Sequence, residues 1–234
     1  MSDRGQLPDG VRVALAHDYL TQLGGAERVV LDIAKAFPAA PIFTSLYEPT
    51  LTYPEYRELD VRPSTLNRFG LLRAHHRAAL PFLARTVSRM TVDSDVLVAS
   101  SSGWAHGMKT TGKKIIYCHA PARWLYQART YLGGTDSTRG LADRIQHAGA
   151  ATGLAALSGP LRKWDRKAAA SADLYLANST VTRSAVKAAY GIDAQILPPP
   201  RRCSLPVAKF HFLEWCLASS CASPASFPTR MWMR

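Results

Sequence analysis

Short, continuously apolar runs alternate along this chain with longer stretches whose apolar residues recur every three or four positions. The first run, Val11-Arg-Val-Ala-Leu-Ala, is rich in strand formers and leads to the pair Gly24-Gly25. From Ala26 the period changes. Ala26, Val29, Val30, Ile33, Ala34 and Phe37 share one helical face, and Pro38 stops the helix. Residues 41–47 and 59–63 predict two further strands. Residues 67–90 predict a helical region that Pro81 splits in two. Residues 94–100 and 113–121 read as buried strands. Leu161, Trp164, Ala168 and Ala172 fall on one face of another helix, followed by a strand at 173–179. Ser179 then caps a helix over 180–190 that Gly191 terminates, and Gln195-Ile-Leu is a last short strand.

Alternating strands and helices predict an α/β domain with a mostly parallel, Rossmann-like sheet flanked by helices. Ligands in such sheets bind beyond the carboxyl ends of the strands. His17, the loop from Ser100 to His106, and His119 all fall at such ends. The glycine pair feeds a helix N-terminus, where free backbone N–H groups and the positive end of the dipole suit a phosphate. The spacing is not GxGxxG, so an ordinary tight turn is the alternative reading.

Residues 133–159 are rich in glycine and polar side chains and predict a mobile loop. Pro198-Pro-Pro is stiff and marks a boundary. After Arg201 no helical or strand period is sustained, and Glu214 is the sole acid. The chain thus divides into a domain at 1–200 and an irregular tail at 201–234, read as frameshifted or poorly packed.

Composition narrows this picture. The 234 residues are 47% hydrophobic, enough for a packed core. No apolar run is long enough to span a bilayer, and the first residues lack a signal-peptide core, so the expected location is the cytoplasm. Cys118, Cys203, Cys216 and Cys221 show no CxxC spacing, which argues against zinc or a disulfide scaffold. The net charge of +12 favours anionic partners, but it is spread along the chain without a nucleic-acid-binding module. In residues 67–90, Arg68, Arg73, His75, His76, Arg77, Arg85 and Arg89 interleave with Phe69, Leu71, Leu72, Leu80, Phe82 and Leu83. Two surface helices with one core-facing side explain this pattern. A peripheral patch for anionic lipid at the inner membrane face also does.

Several pieces in order carry a family resemblance. They are His17-Asp-Tyr-Leu with Gly24-Gly-Ala-Glu; Ser100-Ser-Ser-Gly-Trp-Ala-His-Gly; Tyr117-Cys-His-Ala-Pro-Ala-Arg-Trp-Leu-Tyr; Asp173-Leu-Tyr-Leu-Ala-Asn-Ser with Val181, Arg183 and Tyr190-Gly; and Pro198-Pro-Pro. From about Val11 to Pro200 the chain resembles the N-terminal half of bacterial family 4 glycosyltransferases, which have the two-domain GT-B fold. The resemblance implies a retaining transferase that takes a sugar from a nucleotide donor without a metal or other cofactor. The Tyr-Cys-His-x-Pro-x-Arg run is similar to the subset that adds mannose-like sugars to surface polysaccharides or glycolipids.

The resemblance also implies roles. His119 would be the catalytic residue beside the sugar. Gly24 and Gly25 would face the donor diphosphate. His17, Asp18 and Arg123 would serve the glycan or lipid-linked acceptor. For His17 and Asp18 a structural bond across the strand end is the alternative, and for Arg123 a cap on the following helix. The family's donor-binding domain has no counterpart after Pro200, so the expectation is the acceptor side of a cleft. The competing expectation is a non-catalytic remnant that at most binds acceptor or an anionic membrane.

Overall fold

The computed structural model describes residues 10–74, 79–126 and 158–200. The expected mobile loop over 133–159 falls outside this set except for its last two residues, and the tail over 201–234 lies wholly outside it. The fold is carried by the unit Arg12–Pro199. Its elements run β1 (Val13–His17), α1 (Gly25–Ala36), β2 (Ile42–Thr44), β3 (Val61–Pro63), α2 (Gly70–Ala74), α3 (Leu80–Arg89), β4 (Thr91–Val92), β5 (Val96–Ser101), β6 (Lys109–Thr110), β7 (Lys113–Cys118), α4 (Arg123–Tyr126), α5 (158–169), β8 (Leu174–Ala177), α6 (Thr180–Tyr190) and β9 (Gln195–Ile196).

Seven strands form one sheet in the order β3-β2-β1-β5-β7-β8-β9, and every pairing is parallel. This is the expected Rossmann-like architecture. β1, β5 and β7 are buried nearly end to end because helices cover both faces, which is why they read as continuous apolar runs. Strand order reverses at β1, whose neighbours are β2 on one side and β5 on the other. The gap beyond the carboxyl ends of β1 and β5 is therefore the topological switch point, where a crevice opens.

Local signals in the sequence explain the helix ends. The Ser179 hydroxyl accepts from the Thr182 N–H at the start of α6, and Gly191 closes that helix at φ +75°. As expected, residues 67–90 hold two helical pieces, α2 and α3, and Pro81 sits in the first turn of the second, where its missing N–H had no partner to lose.

The core lies between the sheet and α3, α5 and α6, with Leu83, Val87, Leu97, Trp104, Met108, Ile116 and Val186 fully buried. Trp164 of α5 stacks near Trp104 at 5.8 Å and donates its indole N–H to the Ser88 hydroxyl of α3 at 2.7 Å. Those contacts tie α5 and α3 to the loop after β5. Gly107 lies against the Trp164 ring, which leaves no room there for a Cβ.

Candidate active site

β1, β5 and β7 end together, and their last residues meet. His17 closes β1 and pairs in register with Ser100 of β5, while Ser101 pairs with Cys118 of β7. His119 follows directly. Its backbone is pinned on two sides: its N–H donates to the Ser101 carbonyl at 2.9 Å, and its carbonyl accepts from the Thr182 hydroxyl at 3.1 Å. The side chains connect as well. Nδ1 of His17 lies 3.1 Å from the Ser100 carbonyl and 3.2 Å from its hydroxyl, and that hydroxyl lies 2.8 Å from Nε2 of His119.

On the other side of His17 stands Glu27, from the first turn of α1. Nε2 of His17 and Oε1 of Glu27 are 3.9 Å apart, an ion-pair contact rather than a hydrogen bond. Both residues are almost wholly buried. Burial opposes charge on each, yet the mutual attraction wins. His17 is raised above the ordinary histidine value against its burial, by Glu27 and then Asp18, and Glu27 is lowered against its burial by His17. The helix N-terminus also favours a carboxylate at this position. The Gln22 amide completes the holding of Oε1 at 2.8 Å. His119 goes the other way: burial, with His17's charge beside it, pushes it down to about 3, so it is neutral.

The two glycines play different parts. A Cβ on Gly24 would overlap the Glu27 carboxylate. One on Gly25 would meet nothing within 4 Å, and Gly25 is exposed at the first position of α1. Gly24 is small for the protein's own carboxylate, and Gly25 leaves open space at a helix N-terminus.

Asp18 is buried and serves the loop after β5. Its carboxylate accepts from the backbone N–H of Ser102 at 2.6 Å, Trp104 at 3.1 Å and Ala105 at 2.6 Å, and from the Ser101 hydroxyl at 3.2 Å. That is the structural bond across the strand end, so the sequence signal for His17-Asp18 covers two jobs. The Ser101 hydroxyl also lies 2.9 Å from Nδ1 of His106, whose Nε2 faces Asp165 of α5 at 3.0 Å without hydrogen-bond alignment. Asp165 accepts from the Tyr126 hydroxyl at 2.9 Å. Sequence reasoning missed Glu27, Ser100 as a bridge, and Asp165. The glutamate alone had a signal, since an acid three residues into a helix behind a glycine turn sits at the positive end of the dipole.

Arg123 is exposed at the first position of α4, just beyond the β7 end. A cation there gains nothing from the helix dipole, so α4 does not account for it. Cys118 is buried and its thiol is pushed up to about 12, which makes it unreactive. Among the described residues no group of three or more His, Cys, Asp or Glu could hold a metal. A depression of about 440 Å³ lies at the opposite, amino-terminal end of the sheet, between Ala169 and Gln195. Its acids Asp173 and Asp193 are already paired with Lys113 and Arg183, which leaves it no unengaged carboxylate.

Among solved structures the chain is similar to the lipopolysaccharide outer core galactosyltransferase WaaB in its apo form. Identity is 16% and the TM-score 0.38, over 80% of this chain and 44% of that one. The match thus spans less than half of that protein's length. No curated protein matches the chain. Residues 23–200 match Glycosyltransferase Family 4. That match takes in the glycine turn of α1, the loop after β5, His119 and all of α6, and it extends over more than half of the sequence: the chain belongs to glycosyltransferase family 4.

Proposed function

We propose that Arg12–Pro199 is the acceptor-side half of a retaining, nucleotide-sugar-dependent glycosyltransferase, of the kind that adds mannose-like sugars during surface polysaccharide or glycolipid assembly. The observation that carries this reading is the meeting of His119, His17 and the Gly25 end of α1 at the sheet's switch point. A diphosphate leaving group gains charge in the transition state, and backbone N–H groups at the start of α1 are donors already in place for it. His119 lies where it can hydrogen-bond the transferred sugar. Arg123, exposed beside it, suits a phosphate on a lipid-linked acceptor. The donor side of the cleft is supplied by a second domain, because differential binding needs both sides to meet the transition state.

A peripheral membrane position fits this role. Phe69, Leu71 and Phe82 are 61%, 70% and 54% exposed, with Arg68, Arg85 and Arg89 also exposed around them. Arg73 is turned inward to Glu48 at 3.1 Å and does not join them. Among the described residues no helix is long and apolar enough to cross a membrane. A cytoplasmic protein docked on the inner face through this patch would meet a lipid-linked acceptor there. The same patch favours the second reading, a chain that binds membrane or acceptor and transfers nothing.

Calorimetry with a panel of nucleotide sugars, beside a transfer assay on a lipid extract, tests the proposal. We expect weak donor binding by this chain alone and transfer only when a family 4 donor-side domain is added. Absence of transfer with that domain present would leave the binding reading.

A further inference from the structure

The polar chain Glu27–His17–Ser100–His119 has a direction. The Ser100 carbonyl can only accept, so the nitrogen facing it at 3.1 Å, Nδ1 of His17, must carry a proton. The same N–H reaches the Ser100 hydroxyl oxygen at 3.2 Å. That oxygen accepts from His17 and has one proton of its own to give, and its second neighbour, at 2.8 Å, is Nε2 of His119. A nitrogen that accepts is unprotonated, so a neutral His119 carries its proton on Nδ1. No described residue hydrogen-bonds that Nδ1.

We propose that the buried His17–Glu27 pair, acting through the Ser100 hydroxyl, fixes His119 as the Nδ1–H tautomer, so that His119 offers a sugar hydroxyl oxygen a hydrogen-bond donor and cannot act as a base. The sugar in this statement rests on the proposed function; the tautomer does not. Ser100, His17 and Glu27 are positioning residues here, since each acts through the next.

The surroundings keep the direction from reversing. Among the described residues the acidic side chains facing His17 are those of Glu27 and Asp18, and they raise it above the ordinary histidine value against its burial. Among the described residues His119 faces no carboxylate at hydrogen-bond distance. Its neighbours are the Ser100 hydroxyl, the perpendicular ring of His17 at 6.5 Å between centroids, and the edge of Tyr117 at 5.2 Å. A cation at His17 disfavours a second one at His119, in keeping with the depression of His119 to about 3. The nitrogen that could serve as a base is covered by the serine O–H. Ser101 and Thr182 pin the backbone of His119, and the rings of His17 and Tyr117 stand against its imidazole.

Long-range ¹H–¹⁵N correlation spectra of the intact chain with ¹⁵N-labelled histidine read this directly, with no sugar or nucleotide present. We expect His119 to show a protonated Nδ1 and an unprotonated Nε2 from about pH 5 to pH 8, and His17 to keep a proton on Nδ1 and to titrate above the ordinary histidine value. Ser100→Ala should introduce the Nε2–H form of His119, and Ser100→Thr, which keeps the hydroxyl, should restore the single tautomer. A protonated Nε2 in the unaltered protein would overturn the proposal, and so would titration of His119 near the ordinary value of 6.5. Adding the nucleotide-sugar panel separates the two claims. A sugar that shifts the Nδ1 resonance and leaves Nε2 unprotonated supports the donor role, whereas one that protonates Nε2 refutes it. Failure of every sugar to bind counts against the transferase reading and leaves the measured tautomer standing.

Discussion

Gly24 has no side chain because Glu27 occupies the space a Cβ would need. The neighbouring Gly25 has no such conflict. Gly24→Ala should therefore destabilise the fold by about 1–3 kcal/mol, the usual cost of overpacking. Gly25→Ala should be neutral, or stabilising by up to about 1 kcal/mol through the unfolded chain. If Gly25 leaves room for a diphosphate, its alanine variant should also weaken nucleotide-sugar binding without loss of stability. Thermal melts and calorimetry on the two variants separate these effects.

Breaking the buried pair should cost more than its contribution when intact. His17→Gln leaves the Glu27 carboxylate buried without a cation, and we expect a loss of about 3–5 kcal/mol. The double variant His17→Gln with Glu27→Gln should recover part of it. Urea unfolding of the four proteins gives the coupling directly.

Asp18 offers a separation of roles. Four donors converge on its carboxylate, one from the end of β5 and three from the loop after it. Asp18→Ala strands buried N–H groups, each at about 1–3 kcal/mol, so unfolding should shift strongly before any acceptor is added. A residue devoted to acceptor binding alone would leave the melting temperature where it was.

Stability should peak near pH 6.5 through three groups. His119 excludes its proton down to about 3, so between about 3 and 6.5 the unfolded chain binds the extra proton and stability rises with pH. His17 is raised, so its contribution is full below 6.5 and is lost as pH climbs through its folded value. Glu27 is lowered, so its contribution is full above 4.5 and is lost as pH falls through its folded value. One proton corresponds to a slope of about 1.4 kcal/mol per pH unit. Denaturant curves across this range check the peak, and His119→Gln should flatten its acid side.

Sedimentation with vesicles tests the patch on α2 and α3. Anionic vesicles should bind the chain and neutral ones should not, with each exposed arginine contributing about 1 kcal/mol at low salt. Phe82→Ser with Leu71→Ser should weaken binding to the anionic vesicles although no charge is removed, because insertion depends on apolar area.

The sheet was legible because strands buried on both faces leave continuous apolar runs, as at Val96–Ser101 and Lys113–Cys118. The ends of α6 were legible because Ser179 and Gly191 act locally. The division of residues 67–90 into two helices was legible because proline is excluded from a helix interior and accepted in its first turn. His119 and His17 were found by their place at strand ends. The bridge through Ser100 was not, since a serine's hydrogen bonds depend on register between strands 83 residues apart in sequence. Gly24 and Gly25 look alike in the sequence, and only the fold of Glu27 beneath one of them distinguishes the pair.

That separation of 83 residues also bears on how the protein comes into being. A parallel sheet cannot be built from neighbouring hairpins, so β1 waits for β5, and β5 for β7, before the central pairings exist. Loop closure on this scale slows folding. During synthesis His17 and Glu27 emerge long before Ser100 and His119, and until then the two ionisable groups stand in water at their ordinary values. The charge balance of the site is thus acquired last, in the same step that closes the centre of the sheet, and a nascent chain halted before Ser100 would hold an ordinary histidine where the finished protein holds one raised above that value.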